Sequence, residues 1–187
     1  MAENIAFSCV FVFLGVASSN GVIEKGAVPL LTQDIRKFVH TEEPIWTWTT
    51  TTIENVLCKV DEMKSYTQGS IFFSTKYYTY KTLNPILKNY EGIFLKEQPN
   101  VMRLRKSGFK SAVFVGKETL IYWKKKFHCA VIKVAPSLRG HQPYYELRVW
   151  NSTASVGPHE KCTRRFQKLG KKGRVIYHSK CQDILKV

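Results

Sequence analysis

Apolar and polar residues alternate along most of the chain from residue 45 onward, in short runs separated by turn-forming residues. A period of two is typical of strands that bury one face, and the Trp, Thr and Val content of these runs also favours strands. Their spacing of about ten residues indicates an antiparallel barrel or sandwich. The candidate strands are Ile45–Thr52, Val56–Met63, Ser70–Tyr80, Tyr90–Leu95, Val101–Lys106, Ser111–Val115, Thr119–Lys124, Cys129–Val134 and Tyr144–Trp150, with a short last strand at Arg174–His178.

Two segments have the spacing of helices instead. A short helical pattern covers 32–39 (TQDIRKFV) and ends before Pro44, because the residue before proline avoids the helical region. A longer helix is predicted over Pro158–Leu169, ended by Gly170. Its apolar edge follows i, i+4, i+7 spacing and consists of Cys162, Phe166 and Leu169.

The strand Tyr144–Trp150 has an unusual second face. One face carries Tyr145, Leu147 and Val149, and the other carries Tyr144, Glu146, Arg148 and Trp150. Two opposite charges between aromatic residues are consistent with the lining of a partly polar pocket, or with a solvated face that holds an ion pair. The sequence leaves both open, although a barrel of about eight strands is wide enough to hold one small ligand.

The first residues have the pattern of a secretory signal. Ile5–Val16 is apolar and small residues follow up to Ser19, but the run is shorter than the roughly 20 residues of a membrane span. We therefore expect a signal peptide over 1–19, cleaved near Ser18 or Ser19, and a secreted, extracellular domain over 20–187 without a transmembrane segment.

The chain is strongly basic, with a formal net charge of +15. Basic clusters occur at Lys124–Lys126, at Arg164 with Arg165, and over Lys168–Arg174. Such a field would attract an anionic polysaccharide or an anionic membrane, unless the clusters are simply solvated faces. Binding to nucleic acid would be nonspecific, so no specific nucleic-acid partner is expected.

Cysteine usage indicates disulfides. Of five cysteines, Cys9 lies in the predicted signal, which leaves an even number in a secreted chain and implies two disulfides among three possible pairings. No pair has the close spacing of a zinc site. The scattered histidines form no HExxH motif, and no GxSxG motif is present, so we expect no enzyme, metal or cofactor. Asn151 begins the sequon Asn-Ser-Thr in a predicted exposed loop over Asn151–Pro158, which makes it a candidate glycosylation site.

Several of these features, in their order and spacing, resemble the tick salivary lipocalins of the histamine-binding-protein family. The resemblance rests on EPIWT at Glu43–Thr47, YEL at Tyr145–Leu147 and the positions of the four cysteines, and it covers nearly all of the mature chain. It implies a mainly β, lipocalin-type eight-stranded antiparallel barrel with a short N-terminal helix and a C-terminal flanking α-helix. It also implies the disulfides Cys58–Cys181 and Cys129–Cys162.

The resemblance further implies a ligand site and a function. Family members bind histamine, serotonin or leukotriene-type lipids and so dampen host defence, while some act on complement or coagulation proteins. Carried over by position, the amine site would use Glu43, Trp46 and Glu146. The chain departs from the family at Arg148, where histamine binders have an aromatic residue, and at Leu104 and Glu118, which align with further aromatic positions.

These departures leave the ligand open between a biogenic amine and an anionic lipid mediator. Arg148 would neutralise the carboxylate of Glu146 that an amine needs, whereas Arg148, Arg103 or Arg105 would clamp a lipid carboxylate. The sequence therefore predicts a monomeric secreted protein that sequesters a small inflammatory mediator inside its barrel. The alternative is an inhibitor of host complement or coagulation that binds a host protein or anionic polysaccharide through its basic exterior.

Overall fold

The computed structural model of the 187-residue chain describes residues 33–82, 84–108, 113–170 and 172–186. The predicted signal peptide over 1–19 lies outside the described residues. The strands are β1 Ile45–Thr50, β2 Leu57–Tyr66, β3 Ser70–Tyr78, β4 Ile86–Phe94, β5 Val101–Lys106, β6 Phe114–Lys124, β7 Cys129–Pro136, β8 Tyr144–Trp150 and β9 Arg174–Val175. The α-helices are α1 Arg36–Val39, α2 Asn151–Ala154 and α3 Glu160–Gln167.

Strands β1 to β8 form a closed antiparallel barrel, which confirms the predicted fold class. Each strand pairs with the next, and β1 pairs with both β2 and β8, which closes the sheet; β9 adds two residues beside β1. The loops that follow β1, β3, β5 and β7 therefore lie at one end of the barrel, and those that follow β2, β4 and β6 lie at the other.

The segment around α1 closes the second of these ends. The ring of Phe38 packs edge-on against Trp123, with 5.2 Å between centroids, and the indole nitrogen of Trp150 donates to the carbonyl oxygen of Phe38 at 3.1 Å. Ile35 is fully buried there, and its backbone N–H donates to the carbonyl oxygen of Pro99 in the β4–β5 loop. We call this the closed end and the opposite one the open end.

Alternation along the strands produces two separate apolar clusters, one inside the barrel and one outside it. The outer cluster lies under α3 and a C-terminal 3-10 helix, Ser179–Lys186, and buries Cys162 and Phe166 as the spacing of the predicted helix required. The disulfides Cys58–Cys181 and Cys129–Cys162 attach these two helical segments to β2 and β7, as the resemblance implied.

The sequence-based boundaries of two segments need correction. Residues 111 and 112 lie outside the described residues, and the described parts of the predicted strands Ser111–Val115 and Thr119–Lys124 belong to a single strand, β6, which runs through Gly116 and the charged residue Glu118. A charge can lie within this strand because the carboxylate of Glu118 is paired inside the barrel. The predicted exposed loop at Asn151 is instead the start of α2.

Both predicted helices are shorter than their sequence patterns. The first covers Arg36–Val39, and the second covers Glu160–Gln167, where the ring nitrogen Nδ1 of His159 accepts a hydrogen bond from the backbone N–H of Lys161 and caps the start. Across the part of the chain that the structure describes, no helix combines the length and apolar character needed to cross a bilayer.

Candidate ligand-binding cavity

A cavity of about 190 Å³ occupies the open end of the barrel. It reaches from the loop between β1 and β2 down to charged side chains at mid-barrel. Most of the wall is aromatic or aliphatic, and the deepest polar groups are Lys59, Asp61, Thr75 and Glu118. The apolar and aromatic wall residues are Val56, Phe73, Tyr77, Tyr90, Leu104, Val115, Val134, Pro136 and Tyr144.

Arg148 is the centre of the charged cluster beneath this cavity. It points inward from β8, and its guanidinium donates to both carboxylate oxygens of Glu118 on β6, Nη1 to Oε2 at 2.9 Å and Nη2 to Oε1 at 2.5 Å. Its Nε donates to Oε2 of Glu146 at 2.7 Å, and Nη1 lies 3.3 Å from Oδ2 of Asp61. Three carboxylates therefore surround one guanidinium in a buried position.

Further partners on β1, β2 and β3 complete the cluster. The Nζ of Lys59 donates to Oε1 of Glu146 at 2.7 Å, and the hydroxyl of Thr47 donates to Oε2 of the same carboxylate at 3.4 Å. The hydroxyl of Thr75 donates to Oδ1 of Asp61 at 2.5 Å. Hydrogen bonds of this kind are what allow charged groups to remain in a barrel interior.

The electrostatic effect of the cluster appears in the pKa values of its members. Burial acts to raise the pKa of Glu146, but the charges of Arg148 and Lys59 and their hydrogen bonds outweigh it and lower that pKa to about 2. Burial acts to lower the pKa of Lys59, and the carboxylate of Glu146 reverses this and raises it. Burial raises the pKa of Tyr144, which keeps this wall residue a neutral phenol.

The five charged groups do not balance. Lys59 and Arg148 carry two formal positive charges, whereas Asp61, Glu118 and Glu146 carry three formal negative charges. Both Asp61 and Glu118 line the cavity, and an ionised carboxylate has about four lone-pair sites, so each can accept another donor. The floor of the cavity can therefore accept hydrogen bonds from one additional cation.

Arg148 and its neighbours also divide the barrel interior. Below them lies a small space of about 20 Å³ lined by Val39, Ile45, Met63, Ile71 and Met102, beyond which α1 fills the closed end. The space above them is open to solvent through the mouth. A ligand would therefore meet aromatic walls first and the carboxylates last.

The structure brings together only part of the predicted site. The alternation of β8 predicted a shared face for Glu146 and Arg148, and the structure turns that face into the barrel, where the two side chains are hydrogen-bonded. Trp46 does not share that interior, because it lies on the outward face of β1, where it is fully buried in the outer cluster against Tyr177. Glu43 lies before β1 at the closed end, where Oε2 accepts the backbone N–H of Ser152 at 2.6 Å and caps α2.

Neither of the two arginines considered as carboxylate clamps points into the barrel. Arg103 and Arg105 alternate with the inward-facing Leu104 on β5. The guanidinium of Arg103 lies over the ring of Phe114, and Nε of Arg105 donates to Oε2 of Glu91 at 2.6 Å on the outer surface.

The sequence analysis did not assign Glu118 on β6 to the ligand site, and it also missed Lys59 and Asp61 on β2. They occupy alternate positions of β2, with Val60 between them pointing into the outer cluster. Charged residues at i and i+2 on a strand whose other face is apolar are the signal that marked Glu146 and Arg148 on β8. The same signal was available in the segment Cys58–Asp61.

Two other predicted features, and a group of possible metal ligands, lie away from the cavity. The basic residues Lys124 and Arg165 are exposed, at the end of β6 and on α3. The side chain of Asn151 is half-buried, and its Oδ1 accepts from the indole N–H of Trp46 at 2.8 Å and from Nε2 of Gln182 at 2.9 Å. His178 lies near Cys58 and Cys181, but their sulfurs are bonded to each other and offer no thiolate to a metal.

The chain is similar in structure to lipocalin-fold proteins. Japanin from Rhipicephalus appendiculatus, solved bound to cholesterol, matches with a TM-score of 0.54 and 14% identity over 75% of this chain and 96% of its own. Apocrustacyanin C2 matches with a TM-score of 0.55 and 10% identity over 81% and 84%, and apocrustacyanin C1 with 0.53 and 11% over 80% and 84%. No protein-family model and no curated protein matches the sequence. At these identities the similarity shows the fold.

Proposed function

We propose that this chain is a secreted lipocalin that sequesters a small biogenic amine, such as histamine, in the cavity at the open end of its barrel. The observation that carries the proposal is the unbalanced cavity floor, where three carboxylates face two cations. A protonated amine would supply the missing positive charge and bond to Asp61 and Glu118. Charge-assisted hydrogen bonds of this kind are the strong ones in a partly desolvated site.

The state of Arg148 supports an amine over an anionic lipid. A guanidinium that already donates to Glu118 and Glu146 and lies beside Asp61 would have to give up a carboxylate to clamp one on a ligand. Breaking such a buried pair leaves an uncompensated charge and is strongly unfavourable. Arg103 and Arg105 lie on the outer surface, so neither replaces it.

The size of the cavity also supports a small ligand. The cavity has a volume of about 190 Å³. Pockets that hold drug-sized ligands measure about 300–1,000 Å³. A compact amine suits this space, whereas a leukotriene or a sterol would have to widen the barrel.

The walls supply the second element of amine recognition. Tyr90 and Tyr144 line the cavity, Phe73 borders both it and the smaller space below the carboxylates, and the faces of aromatic rings attract cations. Lys59 does not oppose this, because its ammonium is bonded to Glu146. Lys88 also lines the cavity, but it is an exposed residue of β4 near the mouth.

The biological role follows from the resemblance of the sequence to salivary lipocalins and is part of the proposal. A signal peptide over 1–19 and two disulfides suit an extracellular protein. Japanin, a structural neighbour, was solved with a small molecule, cholesterol. Sequestering a mediator in the same fold would dampen the host response without any catalytic step.

Isothermal titration of the mature protein with histamine, leukotriene B4 and cholesterol tests the proposal. We expect histamine to bind and its affinity to fall by about tenfold or more in Glu118→Gln, because a charge-assisted hydrogen bond is lost. Asp61→Asn should weaken binding in the same direction. Glu91→Gln is the matched control, since it removes a carboxylate from the outer surface and should leave the affinity unchanged.

The three ligands separate the possible failures. Binding of leukotriene B4 or cholesterol without histamine would overturn the amine assignment and keep the small-ligand function. Absence of heat with all three would overturn sequestration of these mediators. In that case the basic exterior, with a host protein or an anionic polysaccharide as partner, becomes the function to test.

A further inference from the structure

The open end of the barrel displays exposed apolar side chains on the tips of its loops. Ile53 in the β1–β2 loop is 100% exposed, Tyr80 in the β3–β4 loop 65%, and Leu138 in the β7–β8 loop 66%. Val113, at the end of the β5–β6 connection, is 67% exposed. These residues belong to four different connections, so they surround the mouth rather than forming one patch.

The closed end differs in this respect. Its connections 67–69, 95–100 and 125–128 lie wholly within the described part of the chain and hold none of the strongly exposed large apolar residues, and the segment that leaves β8 at this end holds one, Val156. Single exposed apolar residues are normal on any surface. Their concentration at the mouth, where solvation of four apolar tips is unfavourable, indicates an interaction surface.

Exposed cations accompany these apolar tips. Lys81 and Arg139 lie in the β3–β4 and β7–β8 loops, and Lys88 and Lys106 lie on the adjoining strands near the mouth. Glu54, beside Ile53, is the carboxylate of the β1–β2 loop. Apolar tips among Lys and Arg are the composition of segments that lie in the interface of an anionic membrane.

We propose that the open end of the barrel docks on the surface of an anionic lipid membrane. In this orientation Ile53, Tyr80 and Leu138 enter the region between headgroups and acyl chains, and Lys81 and Arg139 contact lipid phosphates. The cavity then opens toward the lipid surface. This inference does not depend on which ligand the cavity holds.

The arrangement suits a membrane better than a second copy of the chain or a protein partner. Two mouths placed face to face would oppose their cations, which is unfavourable for a symmetric dimer. A protein partner would need a separate pocket for each of several isolated tips that stand on different loops. A fluid bilayer adapts its shape to such tips and is attracted by the surrounding cations.

Co-sedimentation with vesicles tests the proposal. The mature protein is mixed with vesicles of phosphatidylcholine alone or of phosphatidylcholine and phosphatidylserine in equal parts. We expect binding to the mixed vesicles, weakened about tenfold or more in Ile53→Ser/Leu138→Ser, because two apolar side chains no longer leave water. The control is Val156→Ser, which removes a valine that is 90% exposed in the segment after β8, away from the mouth loops, and should bind as the wild type does.

A second pair of variants tests the charge. Lys81→Gln/Arg139→Gln should weaken binding by about fivefold for each cation removed, whereas Lys124→Gln/Lys125→Gln at the closed end should have a smaller effect. All substituted side chains are exposed, so an unchanged melting temperature verifies folding. The proposal is overturned if the wild type does not sediment with the mixed vesicles, or if mouth and control variants lose binding equally. Binding that depends on Lys124 and Lys125 instead would place the contact at the closed end and would also overturn it.

Discussion

Arg148 and Glu118 form a two-pronged ion pair across the interior of the barrel, Nη1 to Oε2 at 2.9 Å and Nη2 to Oε1 at 2.5 Å. They come from β8 and β6, which are not neighbours in the sheet because β7 lies between them. The pair therefore braces two strands through the core and separates the open cavity from the filled closed end. Both side chains are almost completely buried.

Removing this arginine should destabilise the fold strongly. Arg148→Met leaves Asp61, Glu118 and Glu146 close together without their shared partner, and breaking a buried pair in this way costs about 3–5 kcal/mol. Urea denaturation at neutral pH measures the loss of unfolding free energy. Arg105→Met is the control, because its pair with Glu91 is partly exposed and should contribute only about 0–1 kcal/mol. Equal losses in the two variants would contradict the role assigned to Arg148.

The lowered pKa of Glu146 predicts loss of stability in acid. A carboxyl group whose pKa is lower in the folded than in the unfolded state stabilises the fold fully at pH values above its unfolded-state pKa. That stabilisation is lost as the pH falls from the unfolded-state pKa through the folded-state pKa. For Glu146 the window extends from about 4.5 down to about 2, and the shift corresponds to about 3 kcal/mol.

Unfolding free energies measured across this window test the prediction. Glu146→Gln should be less stable than the wild type at neutral pH, and the difference between the two should shrink as the pH falls. Glu160→Gln is the comparison, since it removes a carboxylate from an exposed pair with Arg164 and should retain the wild-type slope. A difference between Glu146→Gln and the wild type that stays constant down to pH 2 would refute the assignment.

The two disulfides should contribute unequally to stability. Cys58 and Cys181 are 123 residues apart and Cys129 and Cys162 are 33 apart, so the first restricts the unfolded chain more. Chain entropy predicts losses of about 5 and about 4 kcal/mol for the paired Cys→Ser variants. Urea denaturation of each double variant measures the difference, and a larger loss for Cys129→Ser/Cys162→Ser would contradict this order.

Filling the cavity should abolish ligand binding without unfolding the protein. Val115 lines the cavity on β6 and is only partly buried, so the larger side chain of Val115→Trp can occupy existing space near the mouth. Histamine titration should then give no heat, while the melting temperature stays within a few degrees of the wild type. Val156→Trp enlarges an exposed valine outside the cavity and serves as the control. Wild-type histamine binding by Val115→Trp would exclude this cavity as the amine site.

Much of the fold could be predicted from local patterns. The period of two predicted at least part of each barrel strand, and the spacing of Cys162 and Phe166 identified α3. The division of β6 into two strands was wrong because a buried charge, Glu118, resembles a turn when its partner is unknown. The expectation that Trp46 belongs to the ligand site inside the barrel was also wrong. Trp46 lies on the outward face of β1, and this face is apolar because the C-terminal segment covers it.

The sequence by itself determined which residues share a face of each strand, because that depends only on alternation along one segment. It therefore placed Glu146 and Arg148 on one face of β8, and it left open whether that face points into the barrel or toward solvent. Only the tertiary structure decided that Asp61, Glu118 and Lys59 join them, since these lie on β2 and β6 and meet β8 through barrel closure and strand register. Those long-range pairings set the net charge of the cavity floor, and the negative floor is the reason that we propose a positively charged ligand.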